Sequence, residues 1–210
     1  MENLLKLLKN QLQQPLPGEA AHALMAPYRK ASSLVSAEGK NPRLSAVMML
    51  LYPKNEELFV VLIKRNEYEG THSAQVSFPG GRKDENDTSL MHTAIRETRE
   101  EIGVEINESE VLGELSPLYI PPSNFLVTPF IAFKNTIPGF YPDPREVANL
   151  LEFPLRLLRE ESLVKETSVK TGTGLQMKVP YFEINNEIVW GATAAVLSEV
   201  KMLMKNSPEF

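Results

Sequence analysis

The sequence predicts an α/β fold, a sheet covered by helices, with a helical extension over residues 1–40 and the main domain over 41–210. Three observations carry the prediction. Apolar, β-branched runs recur in hairpin-like pairs, as in Ser45–Leu51 with Leu58–Lys64 and Met177–Ile184 with Glu187–Trp190. Between the pairs, Thr88–Ile102 repeats apolar residues at helical spacing (Met91, Ala94, Ile95, Thr98, Ile102). Helices alternating with hairpins, and no internal repeat or composition break, point to one layered domain. At 210 residues, 42% apolar and 23% charged, the chain can bury one sizeable core.

Taken in order, Met1–Gln14 carries a helical stripe of Leu4, Leu5, Leu8 and Leu12, stopped by Pro15 and Pro17-Gly18. A second short helix is expected over Glu19–Arg29 and a loop over Lys30–Asn41. These helices are short and weakly basic, so packing on the main domain or a second copy is favoured over a membrane surface. Ser45–Leu51 and Leu58–Lys64 read as a hairpin, followed by a loop from Arg65 to Arg82. The Thr88–Ile102 helix has Asp87 or Thr88 as its candidate cap and Gly103 where a left-handed residue ends a helix. Val111–Leu115 and Leu126–Phe133 read as strands about a Pro121–Asn124 turn. Glu146–Leu158 reads as a short helix or a strand broken by Pro154, and Asn185-Asn186 as a tight turn. A last helix spans Ala192–Met204. Its apolar face, like those of the N-terminal helices, can pair two copies as a homodimer or cover the sheet.

Composition excludes several classes. With no cysteine there is neither disulfide nor cysteine-held zinc. No apolar run reaches the roughly 18–20 residues that span a bilayer, and no signal-like segment opens the chain, so a cytoplasmic location is expected. A net charge of −5 argues against nucleic acid as partner. A polyanionic small molecule remains compatible if local cations or a divalent metal supply positive charge.

The Thr88–Ile102 helix has a second face. Glu97, Glu100 and Glu101 stand at i, i+3 and i+4, so three like charges share one side and repel unless neutralised. Arg96, four residues before Glu100, and Arg99 offset part of that repulsion. Clustered hard oxygens suit Mg²⁺ or Mn²⁺. The bland alternative is a solvated acidic face. The string Arg96-Glu97-x-x-Glu100-Glu101-x-Gly103 fixes five positions, and average residue usage makes its chance about one in a million per window. Gly80-Gly81, placed upstream at a loop-to-helix junction, allows close backbone approach to metal or phosphate.

Gly80-Gly81 followed by Arg96-Glu97-Thr98-Arg99-Glu100-Glu101-Ile102-Gly103-Val104 resembles the Nudix box of the Nudix hydrolases. The resemblance implies an α/β/α sandwich with a mixed sheet, and metal-dependent hydrolysis of a diphosphate bond in a nucleoside diphosphate derivative. It implies Glu97, Glu100 and Glu101 as metal ligands joined by the Gly81 carbonyl, with Arg96 orienting them. The acidic residue nearest the helix start, Asp87, lies one residue further from Arg96 than in the general box. Leu62-Ile63-Lys64-Arg65, His72–Gly81 and Asp84-x-x-Asp87 resemble the additional signature of the coenzyme A pyrophosphatase branch. So do Val127-Thr128-Pro129-Phe130 and Trp190-Gly191-Ala192-Thr193-Ala194. That branch implies coenzyme A or acyl-coenzyme A as substrate. Gly70 stands where its signature has arginine and Ala74 where it has glycine. Arg65, Arg82 or Lys83 then takes over phosphate binding, or the diphosphate substrate differs.

Other residues carry two readings. His72 contacts substrate or simply bonds nearby backbone. Phe78 floors a pocket or packs the loop on the sheet. Glu146 lies in a loop that the family brings near the metal, so it is a general base, a ligand, or the cap of a following helix. Gly80, Arg82 and Lys83 complete the candidate substrate-binding set; Trp190 belongs to the core. The rival functions are ADP-ribose or other nucleoside diphosphate hydrolysis, and a non-catalytic binding module. The presence of all three glutamates disfavours the module.

Overall fold

The computed structural model describes residues 2–26, 39–66, 75–170 and 176–205. His72, with Gly70 and Ala74, lies outside these residues, as do Pro27 to Arg29 of the expected second helix. The described chain forms α1 (Glu2–Gln11), α2 (Glu19–Met25), β1 (Arg43–Lys54), β2 (Glu57–Arg65), β3 (Val76–Ser77), β4 (Gly80–Arg82) and α3 (Leu90–Ile102). There follow β5 (Val111–Glu114), β6 (Leu118–Ile120), β7 (Phe125–Phe133), β8 (Val147–Pro154), β9 (Val164–Lys170), β10 (Gln176–Ile184), β11 (Glu187–Val189) and α4 (Gly191–Lys205).

β1 is the axis of a mixed sheet. It pairs in parallel with β7 and antiparallel with β2 and β4. The path β3-β2-β1-β7-β5 is extended by β8 on β2 and β6 on β7, and a separate sheet runs β11-β10-β9. Because both faces of β1 are covered, its residues read as a near-continuous apolar run. Ala46, Met48, Leu50 and Tyr52 enter the core beneath α3 with Ala94 and Ile102. Met49 and Leu51 enter the opposite core with Leu8, Met25, Leu197 and Val200 of α1, α2 and α4. The result is an α/β/α sandwich. The apolar faces of the terminal helices therefore cover the sheet of their own chain, and no helix among the described residues is long and apolar enough to cross a membrane.

Several expectations need correction. The 65–82 segment is not one loop: β3 pairs with β2, and Gly80-Gly81 lie inside β4, paired with Val47 and Ala46 rather than at the helix junction. The strands β6 and β9 were not expected; each is short or half-exposed, so neither shows an apolar run. Glu146 precedes a strand that ends in a 3₁₀ turn at Leu155–Arg159, so it caps no helix. Trp190 is only half-buried. The Asn185-Asn186 turn is as expected, both residues at positive φ (51° and 63°), which joins β10 to β11.

Candidate active site

The helix α3 is fixed at both ends by its own residues. Ser89, rather than Asp87 or Thr88, is the N-cap, its Oγ accepting from the His92 N–H at 3.1 Å. Gly103 ends the helix at φ 72° and donates to the Arg99 carbonyl. The expected buried stripe is present at Ala94, Thr98 and Ile102, while Met91 and Ile95 are half-buried.

The three glutamates share the helix side but not one environment. Glu101 is 1% exposed. Its Oε2 accepts from the Gly80 N–H at 2.7 Å and its Oε1 from Arg65 Nη1 at 3.1 Å. Desolvation pushes its pKa up to about 7, against the pull of the Arg65 charge and the Gly80 N–H; the Glu97 and Glu146 charges push it further up. The Glu97 carboxylate rests against Gly81. An added Cβ there would stand 2.4 Å from its Cδ. Burial also raises the Glu97 pKa, opposed by Arg96. Glu100 is half-exposed and takes Arg96 Nη1 at 2.8 Å, the same nitrogen that lies 2.9 Å from Glu97 Oε1.

Arg96 does more than join two glutamates. Its Nε and Nη2 donate to the two oxygens of buried Asp87 at 3.0 and 2.9 Å, and Nη2 also reaches the Arg82 carbonyl at 3.2 Å. The Arg96 hydrogen bonds hold the Asp87 carboxyl well below the usual carboxylate range, and the Asp84 N–H and Thr93 hydroxyl add to them. Asp87 thus anchors the arginine that spans Glu97 and Glu100. Arg99, expected to share the neutralisation, is exposed and makes no ion pair among the described residues.

Glu146 arrives from the other side. Its Oε2 lies 3.9 Å from Arg65 Nη2, so one guanidinium stands between Glu101 and Glu146. The loop carrying it is fastened to α3, with the Tyr141 N–H donating to the Ile102 carbonyl and the Asp143 N–H to the Glu101 carbonyl, both at 2.9 Å. Asn66 holds the loop's far end, donating from its N–H to the Glu146 carbonyl and from Nδ2 to the Pro144 carbonyl. Nothing in the sequence distinguished Asn66.

Four carboxylates and two arginines therefore converge around β4. Arg82 is exposed and Lys83 half-buried at its end, while Phe78, a candidate substrate contact, is 2% exposed in the core under α4. Of the two readings of Phe78, its burial favours packing of the segment on the core. Among the described residues no three acidic, imidazole or thiol groups are gathered as a ready cation cage. Arg96 and Arg65 hold the carboxylates instead. The donor set fits a hard divalent cation all the same: it is all oxygen, desolvated at Glu97 and Glu101, and lies beside a glycine that leaves room. Burying like charges raises their pKa values, and a cation relieves that cost.

Sheet, acidic helix and layered core define an α/β enzyme. The NUDIX domain model matches residues 42–171. The uncharacterized Nudix hydrolase NudL of Yersinia enterocolitica is 31% identical over 187 residues, covering 89% of this chain and 85% of that protein. Its namesake in Yersinia pestis strain Pestoides F is 33% identical over 139 residues, 66% of this chain and 68% of that one. In fold, the chain resembles a MutT/nudix family protein from Enterococcus faecalis (TM-score 0.54, 18% identity, 91% of this chain and 70% of that one). It also resembles a MutT protein from Methanosarcina mazei Go1 (TM-score 0.51, 16% identity, 79% and 95%). The chain belongs to the Nudix hydrolase family and is a Nudix pyrophosphohydrolase. Nudix hydrolases generally use divalent metal ions.

Proposed function

We propose that the protein hydrolyses the diphosphate bond of coenzyme A or an acyl-coenzyme A, releasing adenosine 3′,5′-bisphosphate and (acyl-)4′-phosphopantetheine. The observation that carries this reading is the Leu62–Gly81 run. It resembles the coenzyme A branch, and its described ends, Arg65 and Gly80-Gly81, form the wall against which Glu97 and Glu101 lie. Glu97, Glu100 and Glu101, with the Gly81 carbonyl, would hold Mg²⁺ or Mn²⁺, which would supply charge to neutralise the diphosphate and make water more acidic.

The chain's own groups do the rest. Glu146, half-exposed beside Arg65, takes the proton from water as its oxygen attacks one phosphorus. The bridging P–O bond breaks, and the departing phosphate carries its electron pair away. Arg65 keeps Glu146 and Glu101 at fixed separation, and Arg96 does the same for Glu97 and Glu100. Arg82, Lys83, His72 and the Gly80 backbone are the substrate-side groups in this reading.

A panel of coenzyme A, acyl-coenzyme A, ADP-ribose, dinucleoside polyphosphates and NADH, with Mg²⁺ or Mn²⁺, tests it. Coenzyme A or its esters should give the highest kcat/KM, and EDTA should abolish turnover. Glu101→Gln should lower kcat by about 10³-fold, the scale of losing a group that stabilises the transition state. Preferential cleavage of ADP-ribose overturns the coenzyme A assignment; release of no phosphomonoester from any member overturns the catalytic one.

A further inference from the structure

One end of the sheet carries positive charge that extends from the substrate-side groups Arg82 and Lys83 to Arg43 and Lys40. Arg43, at the start of β1, has its guanidinium carbon 4.2 Å from the Phe125 ring centroid, and its Nη2 donates to the Ser123 carbonyl at 2.6 Å. Lys40 Nζ lies 5.3 Å from the Tyr119 ring centroid; Tyr119 pairs with Leu126 and Phe125 with Ile120, so the two rings stand on opposite faces of the sheet. The Tyr119 hydroxyl donates to Asn124 Oδ1, and Asn124 Nδ2 donates to the Lys40 and Asn41 carbonyls. A single turn, Pro121–Asn124, therefore fixes both rings and both cations.

The patch continues into β4. Ser45 is the register partner of Arg82, and Arg43 lies two residues along the same strand, so Arg43 and Arg82 project to one face. Their separation along the strand is about 7 Å. None of Lys40, Arg43, Arg82 and Lys83 makes an ion pair among the described residues. The adjacent Asp84 is already engaged by Asn86. In a chain of net charge −5, this concentration of unpaired cations marks an anion site. By the same alternation the Arg82 side chain leaves β4 on the face opposite Gly81, so the patch lies across this short edge strand from the Glu97 carboxylate.

We propose that Arg43 and Arg82 bind a phosphomonoester carried by the nucleoside half of the substrate, a phosphate separate from the diphosphate that is cleaved. This rests on the coenzyme A reading, whose substrate bears such a group. Guanidinium forks suit a terminal phosphate, and stacking on Phe125 sets Arg43 in place before the ligand arrives. Lys40, held over Tyr119 on the other face, adds only longer-range positive charge. Nucleic acid fits less well, because the chain as a whole carries a net charge of −5.

Calorimetric titration of the full protein, in Mg²⁺, with adenosine 3′,5′-bisphosphate and with adenosine 5′-monophosphate tests the proposal apart from turnover. The bisphosphate should bind about tenfold tighter or more, the scale of a charge-assisted phosphate contact. Arg43→Ala and Arg82→Ala should each bring that ratio toward one, Lys40→Ala should lower it less, and Arg43→Lys should retain part of it. Both arginines are exposed, so melting curves should stay at the wild-type midpoint. Equal affinity for the two nucleotides in the wild type, or a ratio that survives both arginine substitutions, overturns the proposal. A preserved ratio-and-loss pattern in an enzyme that does not cleave coenzyme A supports the phosphate site and removes only the coenzyme A reading. Cleavage of coenzyme A with a ratio of one does the opposite.

Discussion

Gly80 and Gly81 stand side by side yet exclude a side chain for different reasons. A methyl on Gly80 would lie 2.4 Å from the Ala46 carbonyl oxygen and 2.6 Å from Val47 Cα, both backbone atoms of the neighbouring strand. On Gly81 its three nearest contacts would be the Glu97 carboxylate atoms, the far end of a side chain. Gly80→Ala should therefore cost roughly 2–3 kcal/mol of stability by denaturant unfolding. Gly81→Ala should keep its melting midpoint while kcat drops about 10²-fold, because a displacement of about an ångström at a catalytic group costs that much. Equal stability losses in the two variants would contradict this division. Asp87 gives the residue-scale pH effect. Its folded pKa is depressed by Arg96, so its contribution is present above the unfolded carboxylate value of about 3.9 and is lost as pH falls toward the lower folded value. Asp87→Asn should destabilise the protein by roughly 2–3 kcal/mol at pH 7, the scale of a lost hydrogen-bonded charge pair. The gap between variant and wild type should narrow steadily below pH 4 in thermal melts.

At the scale of elements, the helix α3 and the loop before β8 form one unit. The helix C-terminal carbonyls of Glu101 and Ile102 are satisfied by loop N–H groups, so Glu146 is delivered to the site by the helix end that also carries Glu101. Asn66 closes the far side of this arrangement through Nδ2 on the Pro144 carbonyl at 2.8 Å. Asn66→Ala should lower kcat about tenfold with KM and melting midpoint nearly constant, because it loosens Glu146 without opening the core. Steady-state kinetics beside a melting curve reads both; a lowered midpoint with unchanged kcat would make Asn66 merely structural. The helix itself was legible in the sequence because its signals are local, a 3.6-residue period and Gly103 at its end, although its cap is Ser89 and not Asp87 or Thr88. The loop docking was not, because Asn66 and Pro144 meet only through tertiary folding. Glu101 was half legible. Its spacing placed it on the acidic side, but a 1% exposed carboxylate depends on Gly80 and Arg65 closing over it from other strands.

Across the whole molecule, one buried carboxylate ties the chain's ends together. Glu199, fully buried and the only acidic residue of α4, accepts from the Gly18 N–H at 3.2 Å, from Ser116 Oγ at 2.6 Å and from the Ser116 N–H at 3.3 Å. Buried His22 places Nε2 3.0 Å from its second oxygen. These partners come from the start of α2, the turn before β6 and α2 itself, so α4 holds both the N-terminal helices and the sheet's far side. The sequence does not single out Glu199, since its partners lie 83 to 181 residues away. A buried carboxylate survives only with its donors in place. Glu199→Gln replaces an acceptor oxygen by an NH₂ facing N–H and O–H donors, and should cost about 3–5 kcal/mol in urea unfolding. His22→Ala removes one donor and opens space at α2, so it should cost less, with amide exchange in Glu19–Met25 rising before exchange in α3. Because α3 packs on the opposite face of β1, the His22→Ala enzyme should keep its kcat at temperatures where it remains folded. Loss of kcat in step with α2 exchange would instead show that the N-terminal helices shape the catalytic face, and would overturn their purely architectural role.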